Sequence, residues 1–408
     1  MNLLNVKLFH YRASQGEKIV TILWYFIWGI AFFGELLSAF SLRIPFLDST
    51  SYIANYIVII SLVLMALPYI TRKIKKVDIF CWFLYCFYFF ISYLLYLQNN
   101  QIQEEYAAIT MLFTYPYLFL GLNIDIENMR KPMARISLIV IIWYAFYCMI
   151  YQQNKIGSMA DNEVREGMHF AYLVLPHLLM CMWTSFKDKD ILSIMGTCLG
   201  VFLLLSLGNR GSLVDVVLYI LAYILLFVKS RRKYLIYALA IIIIGFVFFY
   251  MDVVILFFQR VLSELGMSTR IFDFLADNSF VIGNSVDERE FFREKLMVAI
   301  KDSPLLGYGF CGSWQFIGSY PHNLFYDLTI TFGPFLGLLI LFMLAILIVK
   351  AYRAATNSDE RAFLLILIIT GFVKLFISYT FLNNVETFLM IGYCLLLIRN
   401  RRKQKVIC

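Results

Sequence analysis

Residues 259–321 read QRVLSELGMSTRIFDFLADNSFVIGNSVDEREFFREKLMVAIKDSPLLGYGFCGSWQFIGSYP and run directly into His322-Asn323. They form the one long polar interval in a chain of 408 residues that is 61% hydrophobic, 18% aromatic and 15% charged. Soluble domains carry about a quarter charged residues, so this composition belongs to a polytopic membrane protein. On both sides of the polar interval lie apolar runs joined by short basic turns. A crossing needs about 17–25 apolar residues, and on that measure the chain divides into twelve spans. They are residues 19–40, 51–70, 77–97, 106–122, 136–152, 168–186, 191–207, 213–228, 234–258, 322–349, 362–382 and 387–398. Such spans are expected to be helices, because unpaired backbone groups are too costly in hydrocarbon.

The net charge of +8 does not point to nucleic acid, because the basic residues cluster between the apolar runs, where they set orientation. Alternate turns hold Arg72–Lys76, Arg130–Arg135, Lys187–Lys189, Lys229–Lys233, Lys350–Arg361 and the tail after Arg399, whereas the opposite short turns hold only Arg43, Lys155, Arg165 and Arg210. The bias predicts an all-α polytopic membrane protein with both termini cytoplasmic and the 259–321 loop outside. Four regions follow: a scaffold of seven spans over 1–207, the turn and two spans of 208–258, the large outer loop 259–321, and 322–408 with the last three spans and a basic tail. The first five spans carry few polar landmarks and read as scaffold. The N-terminus shows no cleavable signal, so the first span is expected to remain.

Of eight cysteines, six lie inside apolar runs and Cys408 is the last residue, which leaves Cys311 as the one exposed cysteine expected in the outer loop. No spacing suits zinc, and neither a metal nor a cofactor is expected. Within the loop, Ser285-x-x-Glu288 has the form of a capping box, predicting a helix from Val286 to Lys301 ended by Pro304 and the Gly307-x-Gly309 turn. On that helix Arg289, Phe292, Leu296 and Ile300 share a face, with Ala299 beside them and Arg293 at its edge. Arg289 either points toward what the apolar face covers, or snorkels to headgroups or pairs with Glu290 or Glu294.

Arg210 sits in a tight Gly208-Asn209-Arg210-Gly211-Ser212 turn at the start of the eighth span. A planar guanidinium beside helix N–H groups suits phosphate oxygens, although an arginine there can also be a headgroup anchor. His322 is expected to open the tenth span with Tyr326, Thr329, Gly333 and Gly337 below it on one face. It can take a proton near neutral pH, with Asn323 or Tyr326 holding its tautomer, or simply cap the span. His177 is expected to pair with a backbone carbonyl. Lys374, Glu35 and Asp215 are charges within or near spans, read as a structural ion pair between helices.

The run Arg289-x14-Pro304-Leu305-Leu306-Gly307-x-Gly309, then Pro321-His322-Asn323-Leu324 and Phe332-Gly333-x3-Gly337, together with Arg210-Gly211-Ser212-Leu213, resembles the motif set of the O-antigen polymerase and O-antigen ligase superfamily. The match covers residues 208–337. The resemblance implies a GT-C-like, multispan, metal-independent glycosyltransferase of the bacterial inner membrane, working on undecaprenyl-diphosphate-linked glycans at the periplasmic face among membrane lipid. It implies that Arg210 and Arg289 hold the diphosphate and that His322 serves the acceptor, with Arg270 and Arg293 as further anion contacts and Asn323 and Tyr326 in support. Asp327, Glu288 and Glu290 are alternative bases. The Gly-x3-Gly spacing favours the polymerase, for which a chain-length regulator protein would be a partner. A ligase acting on lipid A-core and a lipid-linked oligosaccharide flippase are the alternatives.

Overall fold

A computed structural model describes residues 15–29, 74–99, 102–103, 114–154, 162–207, 209–228, 234, 251–264, 284–303, 305–382 and 384–407. Among these residues the secondary structure is entirely helical. The helices are α1 (Gln15–Trp28), α2 (Lys76–Leu95), α3 (Thr114–Gly121), α4 (Ile126–Asn154), α5 (Asn162–Asp188), α6 (Ile191–Ser206), α7 (Arg210–Phe227) and α8 (Met251–Glu264). They continue with α9 (Asn284–Lys301), α10 (Trp314–Ile317), α11 (Leu324–Phe332), α12 (Pro334–Ala354), α13 (Ser358–Ile368), α14 (Lys374–Ile377) and α15 (Val385–Ile407). The expected second span, residues 51–70, lies outside the described residues.

Helices α2 and α12 are each long and apolar enough to cross a membrane. Both turn large apolar side chains outward, Phe80, Phe83, Phe87 and Phe90 on one and Phe335, Leu339, Phe342 and Met343 on the other. In water such a surface would be untenable, and against lipid it is the natural one. Lipid tails give helices no hydrophobic reason to associate, so close backbone approach carries more of the packing. Helices α3 and α15 show it: a Cβ placed on Gly121 would come within 2.9 Å of Gly392 Cα and 2.7 Å of Tyr393 N.

One end of the bundle is ionic. Arg130 of α4 pairs with Asp188 of α5 at 2.8 Å, Lys187 pairs with Asp359 at the start of α13, and Arg399 of α15 pairs with Asp78 of α2. Arg135 meets Asp190 through two parallel contacts at 2.7 and 2.8 Å. These residues come from turns that the charge bias assigns to a single side, and the structure brings them to one end.

The expected tenth span is corrected. It is two helices rather than one, because Gly333 has φ 83° and Pro334 follows, which ends α11 at Phe332 and restarts the chain as α12. Helix α12 folds back on α11 so closely that a Cβ on Gly337 would lie 2.6 Å from Leu328 O. The eleventh span is also interrupted, by a π-helical segment at Ile369–Val373. The carbonyls of Thr370 and Gly371 there accept from Asn384 Nδ2 (3.1 Å) and Thr387 Oγ1 (2.7 Å). Side chains thus satisfy what the widened turn leaves over.

Candidate functional site

At the end opposite the ion pairs, the segment 305–323 folds over the bundle. Its turns depend on left-handed backbone at Gly307 (φ 72°) and Gly309 (φ 76°), and Tyr308 N and Gly309 N donate to Ile330 O and Thr331 O at 2.8 and 3.1 Å. What holds it from the other side is the C-terminal end of α2 and the residues just after it. Tyr88 Oη lies 2.8 Å from Leu306 O and 2.7 Å from Thr331 O, and Tyr96 Oη donates to Gly307 O at 2.7 Å. Phe310 N donates to Ser92 Oγ at 2.8 Å, and Phe310 O accepts from Gln103 Nε2 at 2.8 Å. Asn99 Nδ2 lies 3.2 Å from Tyr308 O and 3.3 Å from Phe310 O. Phe310 is fully buried among Phe89, Phe332 and Phe381.

The third span is therefore not mere scaffold, and its polar tip was the residue set that sequence reasoning missed. A signal was present: the amide run Gln98-Asn99-Asn100-Gln101-x-Gln103 is unusual at a span end. Cys311 is likewise corrected. It is buried in the same aromatic cluster, not exposed, so the loop displays no thiol there.

Helix α9 presents the expected stripe. Leu296 and Ala299 are buried against Ile330 of α11, with Ile300, Tyr308, Phe316 and Tyr326 around them. Arg289 occupies α9 seven residues before Leu296, two turns along the same face. Arg293 is exposed. Arg270 lies outside the described residues, as do the side chains of Arg289, Arg210, Glu288 and Ser285; α9 begins at Asn284, so Ser285 lies inside the helix and not at the cap position expected before Val286.

His322 does not begin a helix. It precedes α11 in left-handed backbone (φ 52°), with its ring 4.2 Å from that of Tyr320. Asn323 is the N-cap of α11, its Oδ1 accepting from Phe325 N at 3.0 Å while Nδ2 lies 3.4 Å from Phe376 O. Tyr326 packs on the α9 stripe. Asp327 is buried and accepts from Thr380 Oγ1 at 2.7 Å and Phe381 N at 3.3 Å, which makes it a tie to the 380–381 turn. Three of the non-glycine residues with left-handed backbone, Cys311, His322 and Tyr379, lie at this end. Such backbone costs about 1–3 kcal/mol per residue and persists only where its surroundings impose it.

Arg210 is the first residue of α7. Asn209 caps the helix, with Oδ1 accepting from Ser212 N at 3.2 Å. Gly211 is where two elements come in close: a Cβ there would overlap the Tyr172 hydroxyl and lie 3.2 Å from Ile377 Cγ2. The short helix α14 therefore has the residue after Arg210 against Ile377 and the residue after His322 bonded to Phe376 O. Beneath it Lys374 is buried, 3.1 Å from Asn384 Oδ1 and 4.0 Å from Glu386, over the rings of Tyr379 and Tyr172. Its ion-pair partner is thus Glu386 on α15. Asp215 is fully buried, and neither carboxylate oxygen makes a hydrogen bond to a described residue. Glu35 lies outside the described residues. His177 pairs with the Ser137 hydroxyl at 3.2 Å, where a backbone carbonyl was expected, and stacks edge-on with Trp28.

Taken together these features describe an all-helical chain, consistent with an all-α membrane protein, one end of which gathers an arginine-led helix start, a strained histidine and a buttressed loop. Residues 195–341 match the family model described as O-Antigen ligase, an interval that contains Arg210, Arg289 and His322. The chain is also 23% identical over 346 residues to the ComP-specific O-oligosaccharyltransferase of Acinetobacter baylyi, an alignment covering 76% of this chain and 59% of that protein. The chain thus spans under two thirds of the length of this curated relative. No solved structure matches. Both are likenesses that support the O-antigen ligase superfamily, and neither resolves polymerase from ligase.

Proposed function

We propose that the chain transfers a glycan from undecaprenyl diphosphate to an acceptor hydroxyl at the outer face of a bacterial inner membrane. The acceptor oxygen attacks the anomeric carbon, the bond from that carbon to the diphosphate oxygen breaks, and the lipid diphosphate leaves with the electron pair. Arg210 and Arg289 hold the departing diphosphate, whose growing negative charge fixed guanidinium groups stabilise. His322 takes or orients the acceptor proton, and Arg293 and Arg270 are outlying anion contacts. The observation that carries this reading is the shared footing of Gly211, beside Arg210, and Asn323, beside His322, on helix α14. Two segments more than a hundred positions apart thus meet on one short helix, the kind of placement that a substrate spanning both would need.

Arg289→Ala should abolish glycan transfer in membranes where the protein inserts at its usual level. Transfer at the wild-type rate in that variant would remove the assignment. Arg289→Lys should recover only part of the rate, because an ammonium cannot make the paired contact.

The ligase type of acceptor draws more support than the polymerase type. The matched family is described as a ligase and the relative is named an oligosaccharyltransferase. The polymerase reading leans on Gly333-x3-Gly337, and each of those glycines has a packing reason of its own, one at the Gly307 turn and one against Leu328. A deletion strain separates the two. Lipid-linked polymer with none on lipid A-core fits the ligase, while lipopolysaccharide bearing a single repeat fits the polymerase and would restore a chain-length regulator as partner. A flippase would need an energy source or a gradient; purified protein that transfers glycan without either excludes it.

A further inference from the structure

A cavity of about 350 Å³ opens between the tip of α2 and α10, lined by Gln98, Asn99, Ile102, Trp314 and Gln315. We propose that this cavity is a sugar subsite, taking a neutral pyranose unit of the glycan that the enzyme transfers or extends. The proposal rests on the transferase reading for its biological ligand, but its argument is the chemistry of the wall. Among the described residues no charged side chain lines it, and that lining suits a neutral ligand better than a diphosphate. Three of its five side chains end in carboxamides; Asn99 turns its own to the protein, while those of Gln98 and Gln315 carry both donors and an acceptor, which is what a hydroxyl needs since it also does both. The fourth is an indole, whose flat apolar face and single N–H suit the C–H face and rim of a sugar ring.

The wall is also held in shape. Asn99 uses both halves of its amide on the protein, donating to Tyr308 O and Phe310 O and accepting from Gln315 Nε2 at 2.8 Å. Gln315 is thereby fixed at the rim, at little further entropic cost on binding. Trp314 packs partly into the aromatic cluster around Phe310, so its ring is braced on one side. The volume lies at the lower end of the range for small-ligand pockets, which is roughly 300–1,000 Å³. Its place fits a glycan extending from the proposed reaction centre: Ser313 beside Trp314 donates to Ser319 O at 3.0 Å, and the next residue, Tyr320, has its ring tilted against that of His322 at 4.2 Å.

The test uses the full-length protein in detergent with the lipid-linked glycan of its own host as substrate, and the oligosaccharide released from that lipid as a binding probe. Trp314→Ala and Gln98→Ala should each raise KM for the glycan, about tenfold for the tryptophan, with kcat nearly unchanged. Addition of the free oligosaccharide should change tryptophan fluorescence in the wild type, and the change should vanish in Trp314→Phe. The phenylalanine variant keeps an aromatic ring in the same packing, so it guards against a mere folding failure. Wild-type KM in both Trp314→Ala and Gln98→Ala, with the same fluorescence change in Trp314→Phe, overturns the subsite while leaving the transferase reading intact. A chain that transfers nothing but still binds the oligosaccharide through Trp314 overturns the transferase reading and leaves the subsite standing.

Discussion

At one end of the bundle Arg130, Asp188, Lys187, Asp359, Arg135 and Asp190 hold four helices together by charge. At the other, the segment 305–310 is held to α2 and α11 by tyrosine and serine hydroxyls, amides and backbone N–H groups, all of them neutral. The contrast is physical. An ion pair fixes helix ends well, but it fills the neighbourhood with field; neutral hydrogen bonds position backbone without competing for a charged ligand. A site meant to receive a diphosphate is better framed by the second kind. On this view a loss at the ionic end should cost stability alone, whereas a loss at the neutral end should cost activity as well.

The largest expected effect is at the neutral end. Gly307→Ala brings a Cβ into overlap with Gly333 N and to 2.6 Å from both Ile330 O and Thr331 O, on backbone of φ 72°. Overlap and strain together should cost about 4 kcal/mol or more and take both folding yield and activity with them. A variant extracted at normal yield with a normal melting curve would show that the loop is not packed as described. Next, Arg130→Ala leaves Asp188 and Asp359 without their shared partner. Arg130 is only 7% exposed, and breaking a buried pair of this kind should cost about 3 kcal/mol. Melting temperature should fall while the transfer rate per folded molecule stays near wild type; an equal fall in both would end the division between the two ends.

A smaller effect sharpens the comparison from the other side. Tyr96→Phe removes the hydroxyl that donates to Gly307 O and should cost about 1 kcal/mol. Hydrogen exchange should speed up at the amides of Tyr308 and Gly309, which bond to Ile330 O and Thr331 O. Transfer should slow by more than the lost stability explains. Unchanged exchange at those amides would mean that α2 does not brace the loop.

How far these features were legible beforehand depended on their range. Local rules worked where a local cause exists: the α9 stripe of Leu296 and Ala299 followed from spacing, and the Gly307 and Gly309 turn from glycine itself. The break at Gly333 was missed because a hydropathy window sums over it, although Gly-Pro in the middle of a run was a visible stop signal. The clamp at Ser92, Tyr96, Asn99 and Gln103 had no local cause. Its partners lie about two hundred residues away, and a polar residue at a span end looks the same whether it faces headgroups or another loop. Cys311 was misplaced for the same reason, since a polar stretch of sequence can still be folded around one aromatic core.

The smallest effect tests the ionic end by pH. The Arg135 guanidinium, paired at 2.7 and 2.8 Å, holds the Asp190 carboxyl well below the usual carboxylate range, with Ser193 adding hydrogen bonds from its hydroxyl and backbone N–H. A carboxyl depressed on folding contributes stability above its unfolded pKa of about 3.9 and loses it as pH falls toward the folded value. Asp190 is also the N-cap of α6, and asparagine caps a helix about as well as aspartate. Asp190→Asn therefore removes the charge and keeps the cap. The variant should melt slightly below wild type at pH 7, and the gap should narrow from about pH 4 downward, toward the depressed folded pKa, as the wild-type carboxylate loses its advantage. A gap that stays constant over that window would assign the loss to the cap and not to the ion pair, and the claim that charge secures this end would lose its Asp190 support.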